Sequence, residues 1–159
     1  MTAPTVTVSN PSTLSGSAVR ALVAWTGTDH AGGSGILLYR LDRSVNGGAW
    51  TTVQNLSVST STQVLTVGAA YRFRVQAIDH DRNVSGTAYG ITIKARLTQQ
   101  TSSAVHFTST WSASSSTSYS GGSVRWSKVA GASASYTATG RSYAIVATRA
   151  PRGERRGST

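Results

Sequence analysis

Hydrophobic and polar residues alternate along the first half of the chain with a period of two. From Tyr71 the order is Tyr-Arg-Phe-Arg-Val-Gln-Ala-Ile-Asp. Tyr71, Phe73, Val75 and Ala77 therefore share one face, and Arg72, Arg74 and Gln76 the other. Successive side chains of a strand point to opposite sides, so one greasy face and one wet face predict an antiparallel, half-buried strand. Residues 19–25 repeat the pattern, with Val19, Ala21, Val23 and Trp25 on one side and Arg20, Leu22 and Ala24 opposite. Further strands are expected at residues 3–8, with Pro4 at an edge, and at 36–42, 50–53, 63–67 and 89–94. Asn10-Pro11 and Ser15-Gly16 are turn signals, residues 26–35 form a polar glycine-rich loop, and residues 79–86 form a turn. Asn46-Gly47 marks a hairpin, because both residues tolerate the left-handed conformation that tight turns require. No window of ten or more residues shows a helical period. Strands at this spacing predict a two-sheet sandwich of about 90 residues.

Leu65, Gly68 and Tyr71 are spaced three apart at the entry to the strongest strand. The tyrosine ring is apolar enough to bury, while its hydroxyl needs a partner. Backbone in the preceding turn is the nearest one, which pins a corner of the sandwich. Around this corner stand Trp25, Ser34-Gly35-Ile36 leading to Tyr39, Gly47-Gly48-Ala49-Trp50-Thr51, and Ala77-Ile78-Asp79 followed by Asn83-Val84-Ser85. Together these residues resemble a bacterial fibronectin type III or Ig-like module spanning residues 3–95. The resemblance implies structural roles for Trp25, Leu65, Gly68 and Tyr71. Val67 stands where that family commonly carries proline in the corner.

Composition shifts after Arg96. Residues 97–103 are polar and read as a linker between a first domain at 1–96 and a second unit at 104–159. Residues 104–111, with Val105, Phe107 and Trp111 on one side, form a strand candidate, and 112–123 form a Ser/Thr/Gly loop. Residues 124–129, 134–139 and 143–148 are further strand candidates. His-Phe-Thr-Ser-Thr-Trp from His106, Ser-Gly-Gly-Ser-Val-Arg-Trp-Ser from Ser120, the Ala130–Ser142 region and Ala-Pro-Arg-Gly from Ala150 resemble the opening half of a jelly-roll-like module. Such modules often follow fibronectin-type domains in large secreted actinobacterial proteins. A jelly roll needs about eight strands, so four or five are expected to leave it incomplete, with open edges that favour association. Residues 149–159 are expected to form a basic, disordered tail.

At 159 residues the chain holds one large or two small domains, and 38% hydrophobic residues suffice for a core. Without cysteine it has no disulfide and no thiolate metal site. No apolar run reaches membrane length, and residues 1–20 lack the basic start and greasy centre of a signal peptide, so membrane insertion is not expected. The net charge of +10 fits nucleic acid, anionic glycan or simple solubility. Position discriminates more than the sum. Arg149, Arg152, Arg155 and Arg156 crowd the carboxyl end, and the remaining cations are scattered singly along strands.

Candidate chemistry is sparse. Asp79, Asp81 and Asn83 have the spacing of the first ligands of a calcium loop, but the bidentate acid such a loop requires is missing nearby, so no metal is expected. His30, His80 and His106 read as exposed loop or strand residues; no serine is singled out as a nucleophile, and no catalytic residue or cofactor is expected. Of the aromatics, Trp25, Trp111 and Trp126 are expected in cores. Trp50, beside a hairpin, and Tyr119, in the Ser/Gly loop, are the candidates for exposed glycan contacts. Arg152, Arg155 and Arg156 are candidates for gripping anions.

These readings lead to an all-β chain: a fibronectin type III/Ig-like sandwich followed by a partial, jelly-roll-like second sandwich. The expected role is a non-catalytic spacer or adhesion piece of a secreted or cell-surface bacterial protein, made as part of a longer precursor. Its partners would be neighbouring domains and polysaccharide, with nucleic acid disfavoured. Two alternatives are binding of polyanions through the positive charge, and service as an accessory module to a polysaccharide hydrolase whose catalytic domain lies elsewhere.

Overall fold

Hydrophobic alternation is realised as antiparallel ladders. The computed structural model describes residues 5–8, by backbone path, and residues 18–147. Strand β1 (Thr5–Val8) pairs with β2 (Ala18–Ala24), which pairs with β5 (Thr60–Thr66) to make a three-stranded sheet. In the larger sheet, β4 (Thr51–Leu56) pairs with β3 (Ile36–Val45), and β3 pairs with β6 (Ala70–Asp79). The far edge of β6 carries two short pieces, β7 (Ala88–Tyr89) and β8 (Ile93–Lys94). The turn residues Asn10-Pro11 and Ser15-Gly16, and the start of the first expected strand with Pro4, lie outside the described residues.

The inward faces of the two sheets meet in one core. Ala21, Val23 and Leu65 come from the smaller sheet, and Tyr39, Leu41, Tyr71, Phe73 and Val75 from the larger; Trp25, just past β2, closes one end. Its ring meets Tyr39 edge-on at 5.8 Å. Full burial of side chains such as Leu41 and Phe73 contributes about 1.5–3 kcal/mol each. This is an antiparallel β-sandwich, three strands against a four-row sheet whose last row is broken in two.

Local chemistry sets the corners. Asn46 (φ 51°) and Gly47 (φ 75°) are both left-handed, as a type I′ hairpin requires, and the Gly48 N–H closes the turn on the Val45 carbonyl at 2.9 Å. Gly68 (φ 89°) turns the chain between β5 and β6, and the Tyr71 hydroxyl accepts the Thr66 N–H at 2.9 Å. The Asn46 side chain accepts the Ala70 N–H at 2.9 Å, tying hairpin to corner.

Bulges and buried polar residues depart from simple alternation, among them a register shift between Ile36 and Leu38 against β6. A bulge between Leu41 and Asp42 shifts the register against β4. Ser61 and Gln63 are buried on β5, where they form a polar chain: the Gln63 amide donates to Ser61 Oγ at 2.7 Å, and Ser61 Oγ donates to Gln54 Oε1 of β4 at 2.6 Å. Buried polar groups are tolerated when they satisfy one another in this way.

Beyond Arg96 the chain forms a single bent hairpin. β9 (Val105–Phe107) pairs with β12 (Ala134–Tyr136), and β10 (Ser112–Ser115) pairs with β11 (Ser123–Trp126) inside it. Thr108 and Ser133, linked by N–H and hydroxyl bonds near 3.0 Å, bridge the two halves. No residue from 97 to 147 is buried.

Several sequence-based expectations are corrected here. The strand expected at 89–94 is split around Gly90, and the loop expected at 112–123 contains β10 and a single 3-10 turn, Ser120–Gly122. The strand expected at 134–139 stops at Tyr136, because its partner β9 begins at Val105 and the chain before that is turn. Residues 143–147 are not a strand, since no ladder reaches them; residue 148 lies outside the described residues. Trp126, expected in a core, is 41% exposed because no second layer of the described residues covers β11. Tyr119, expected as the most exposed aromatic, is half-buried in the tight turn before Gly122.

Candidate functional site

Alternation on β3 and β6 places Arg40, Asp42, Ser44, Arg72, Arg74 and Gln76 on the outer face of the larger sheet. Register then sets Asp42 beside Arg74, Ser44 beside Arg72 and Arg40 beside Gln76. Tyr89 of β7 lies on the other side of Arg74. Trp50, just ahead of β4, covers the row from the opposite edge.

The result is a ladder of rings and guanidiniums. Trp50 and Tyr89 meet edge-on at 5.7 Å; the Arg74 guanidinium lies 4.6 Å from the Trp50 ring, and that of Arg72 lies 5.2 Å from the Tyr89 ring. Beneath them Asp42 is only 3% exposed. Its carboxylate accepts Arg74 Nε at 2.8 Å and the Thr52 hydroxyl at 2.9 Å. The hydrogen bond to Asp42 raises Arg74 above the ordinary arginine value, so this guanidinium is permanently charged and fixed. Arg40 Nε stands 3.8 Å from Asp42, too far for a hydrogen bond, and its Nη2 donates to Gln76 Oε1 instead. Three guanidiniums against one carboxylate leave this face net positive.

Beside the ladder, next to the hairpin, lies a hollow of about 230 Å³ lined by Ser44, Gly47, Gly48, Trp50, Arg72 and Thr92 among others, with no acidic residue. Arg72 is exposed; its Nε donates to the Gly90 carbonyl at 2.9 Å, and its Nη nitrogens have no hydrogen bond among the described residues. The Ser44 hydroxyl donates to the Gly48 carbonyl at 2.6 Å.

The opposite end of the sandwich holds the histidine and aspartate loops. His80 N–H donates to the Gly35 carbonyl at 3.1 Å, which joins the two loops, and a depression of about 190 Å³ between them is lined by Asp29, Asp79, Asn83 and Ser85. Both carboxylates are occupied by the protein itself. Asp29 accepts the N–H groups of Gly35 (2.7 Å) and His30 (2.9 Å), which lower its pKa from the ordinary 3.8. Asp79 accepts the backbone and side-chain N–H groups of Asn83 at 2.8 and 2.9 Å. The Ser85 hydroxyl donates to the Gly86 carbonyl and accepts the Ala77 N–H. Among the described residues no three metal-ligating side chains cluster.

Of the sequence-derived candidates, the structure brings Trp50 into the ladder. Tyr119 belongs to the second hairpin and makes no ring contact with Trp50. Trp25, Leu65 and Tyr71 are buried, and Gly68 sits at the corner between them in sequence. Arg152, Arg155 and Arg156 lie outside the described residues. Sequence reasoning missed Asp42, Arg72, Arg74 and Tyr89. The available signal was Arg-x-Arg on the wet face of β6, two residues apart and thus side by side, which reads as a solubility feature until a tryptophan is known to lie across it.

No family model matches the chain, and no curated protein matches it. A solved structure similar to it is the twitchin kinase region from C. elegans (Fn31-NL-kin-CRD-Ig26), at a TM-score of 0.43 and 20% identity over 60% of this chain. This chain spans 16% of the length of that one.

Proposed function

We propose that the chain is a non-catalytic spacer and adhesion module of a secreted or cell-surface bacterial protein. In this reading a fibronectin type III-like sandwich positions neighbouring domains and contacts glycan, and the hairpin after it is the opening part of a jelly-roll-like module. The observation that carries the reading is the outer face of the larger sheet. It presents rings and guanidiniums already fixed by Asp42, Tyr89 and Gly90, and such preorganisation lowers the entropic cost of binding. Flat aromatic faces suit sugar rings. Affinity electrophoresis through a panel of neutral and anionic polysaccharides tests this. Retardation that disappears in Trp50→Ala, with circular dichroism showing the sandwich still folded, is the expected result; mobility unaffected by every polysaccharide removes the adhesive role.

A second reading, binding of polyanions in general, is supported by the charge of +10. It predicts affinity that falls steeply with salt for any polyanion and depends on residues 149–159. Binding to nucleic acid that is unchanged after deletion of 149–159 removes the version carried by the tail.

A further inference from the structure

We infer that the hollow beside the Asn46-Gly47 hairpin is a subsite for one acidic sugar ring, a uronate unit of an anionic polysaccharide. The inference rests on the adhesion reading and names its ligand. At about 230 Å³ the hollow lies below the roughly 300–1,000 Å³ typical of sites for drug-sized ligands, and so has room for one ring rather than a nucleotide. Its walls divide by chemistry. Trp50 supplies an apolar plane for the C–H face of a pyranose. Ser44 and Thr92 supply hydroxyls, and the hairpin glycines supply backbone.

Arg72 supplies the charge. Its Nε donates to the Gly90 carbonyl and its guanidinium carbon lies 5.2 Å from the Tyr89 ring, which leaves the Nη edge without a hydrogen-bond partner among the described residues. Such an edge matches the two oxygens of a carboxylate, and charge-assisted pairs of this kind are among the stronger hydrogen bonds. Arg74, by contrast, is committed to Asp42. One free guanidinium in a hollow without any acid fits one negative charge per ring, as a polyuronate offers. A nucleic acid strand would instead reward several free cations in a row.

The test uses the full chain and isothermal titration with polygalacturonate, its fully methyl-esterified form and single-stranded DNA. Polygalacturonate should bind, and esterification should weaken binding by roughly tenfold or more, the scale of one charge-assisted contact. Arg72→Gln should cause a similar loss. Arg82→Gln removes an equal charge from a loop at the other end of the sandwich and should cause none. Equal losses from the two substitutions, or equal binding of the esterified polymer, overturn the inference. DNA binding as tight as polygalacturonate, and equally sensitive to Arg72→Gln, overturns it in favour of phosphate. Binding of neutral polysaccharide that needs Trp50 but not Arg72 also overturns it while leaving the adhesion reading standing; absence of binding to any polysaccharide removes both. Arg72 is exposed, with one hydrogen bond and one ring contact, so its substitution should lower the melting temperature by only a few degrees and leave the protein folded at the titration temperature.

Discussion

Tyr71 combines two tasks in one side chain: its ring fills the core and its hydroxyl accepts the Thr66 N–H at 2.9 Å. Phenylalanine keeps the first and abolishes the second, stranding a backbone donor beneath the corner. Tyr71→Phe should therefore lower stability by about 1–3 kcal/mol, read as a lower denaturant midpoint with an unchanged slope. This residue was legible, because an apolar ring with one polar atom three residues after a glycine has few other places to go. Asp42 was not. By parity it faces outward, and an outward aspartate reads as solvated. It is buried because Arg74 and Trp50 lie across it, which depends on a pairing between strands 32 residues apart in sequence rather than on any pattern within one strand. Trp126 failed in the opposite sense. Alternation assigns it a face, but only a second sheet could have made that face a core.

Elements whose ends are marked by special residues were read well, and those whose ends depend on a partner were not. The hairpin at Asn46-Gly47 follows from the left-handed tolerance of its two residues, yet β3 runs on to Val45, beyond the expected end, because β6 pairs along its whole length. Ser61 and Gln63 were similarly opaque: their inward direction becomes acceptable only once Gln54 of a different sheet accepts from Ser61, which in turn accepts from Gln63. The loop between β2 and β3 is held in another way, by one carboxylate. Asp29 draws in the N–H groups of both His30 and Gly35. Its folded pKa lies below 3.8, so the anchoring contributes fully above that value and is lost as the pH falls through the lower folded value. Melting temperature should accordingly fall as the pH drops below about 4, and Asp29→Ala should show a shallower fall there. Identical acid profiles for the two proteins would contradict the anchoring role.

At the scale of the whole molecule, the buried side chains among the described residues all lie before Arg96. The core cluster ends with packing from Ile93 and Ala95, and no strand of the second hairpin pairs with either sheet of the sandwich. The hairpin leaves Trp126, Val129 and Tyr136 in solvent, and the segment after it leaves Tyr143 and Ile145 there, the last 86% exposed. Several large apolar side chains exposed in one stretch of chain favour association. The period-two pattern revealed both halves as β, but it could not tell a covered face from a bare one. A chain ending at residue 96 should keep every core contact. Its main unfolding transition should match that of the full chain within about 2 °C, the size expected when almost no buried interaction is removed. Sedimentation should also separate the two. The full chain is expected to grow in mean mass with concentration through its bare hairpin, while the shortened chain stays monomeric. A large drop in melting temperature on shortening would show that the hairpin supports the sandwich, and equal association by both chains would place the sticky surface on the sandwich itself.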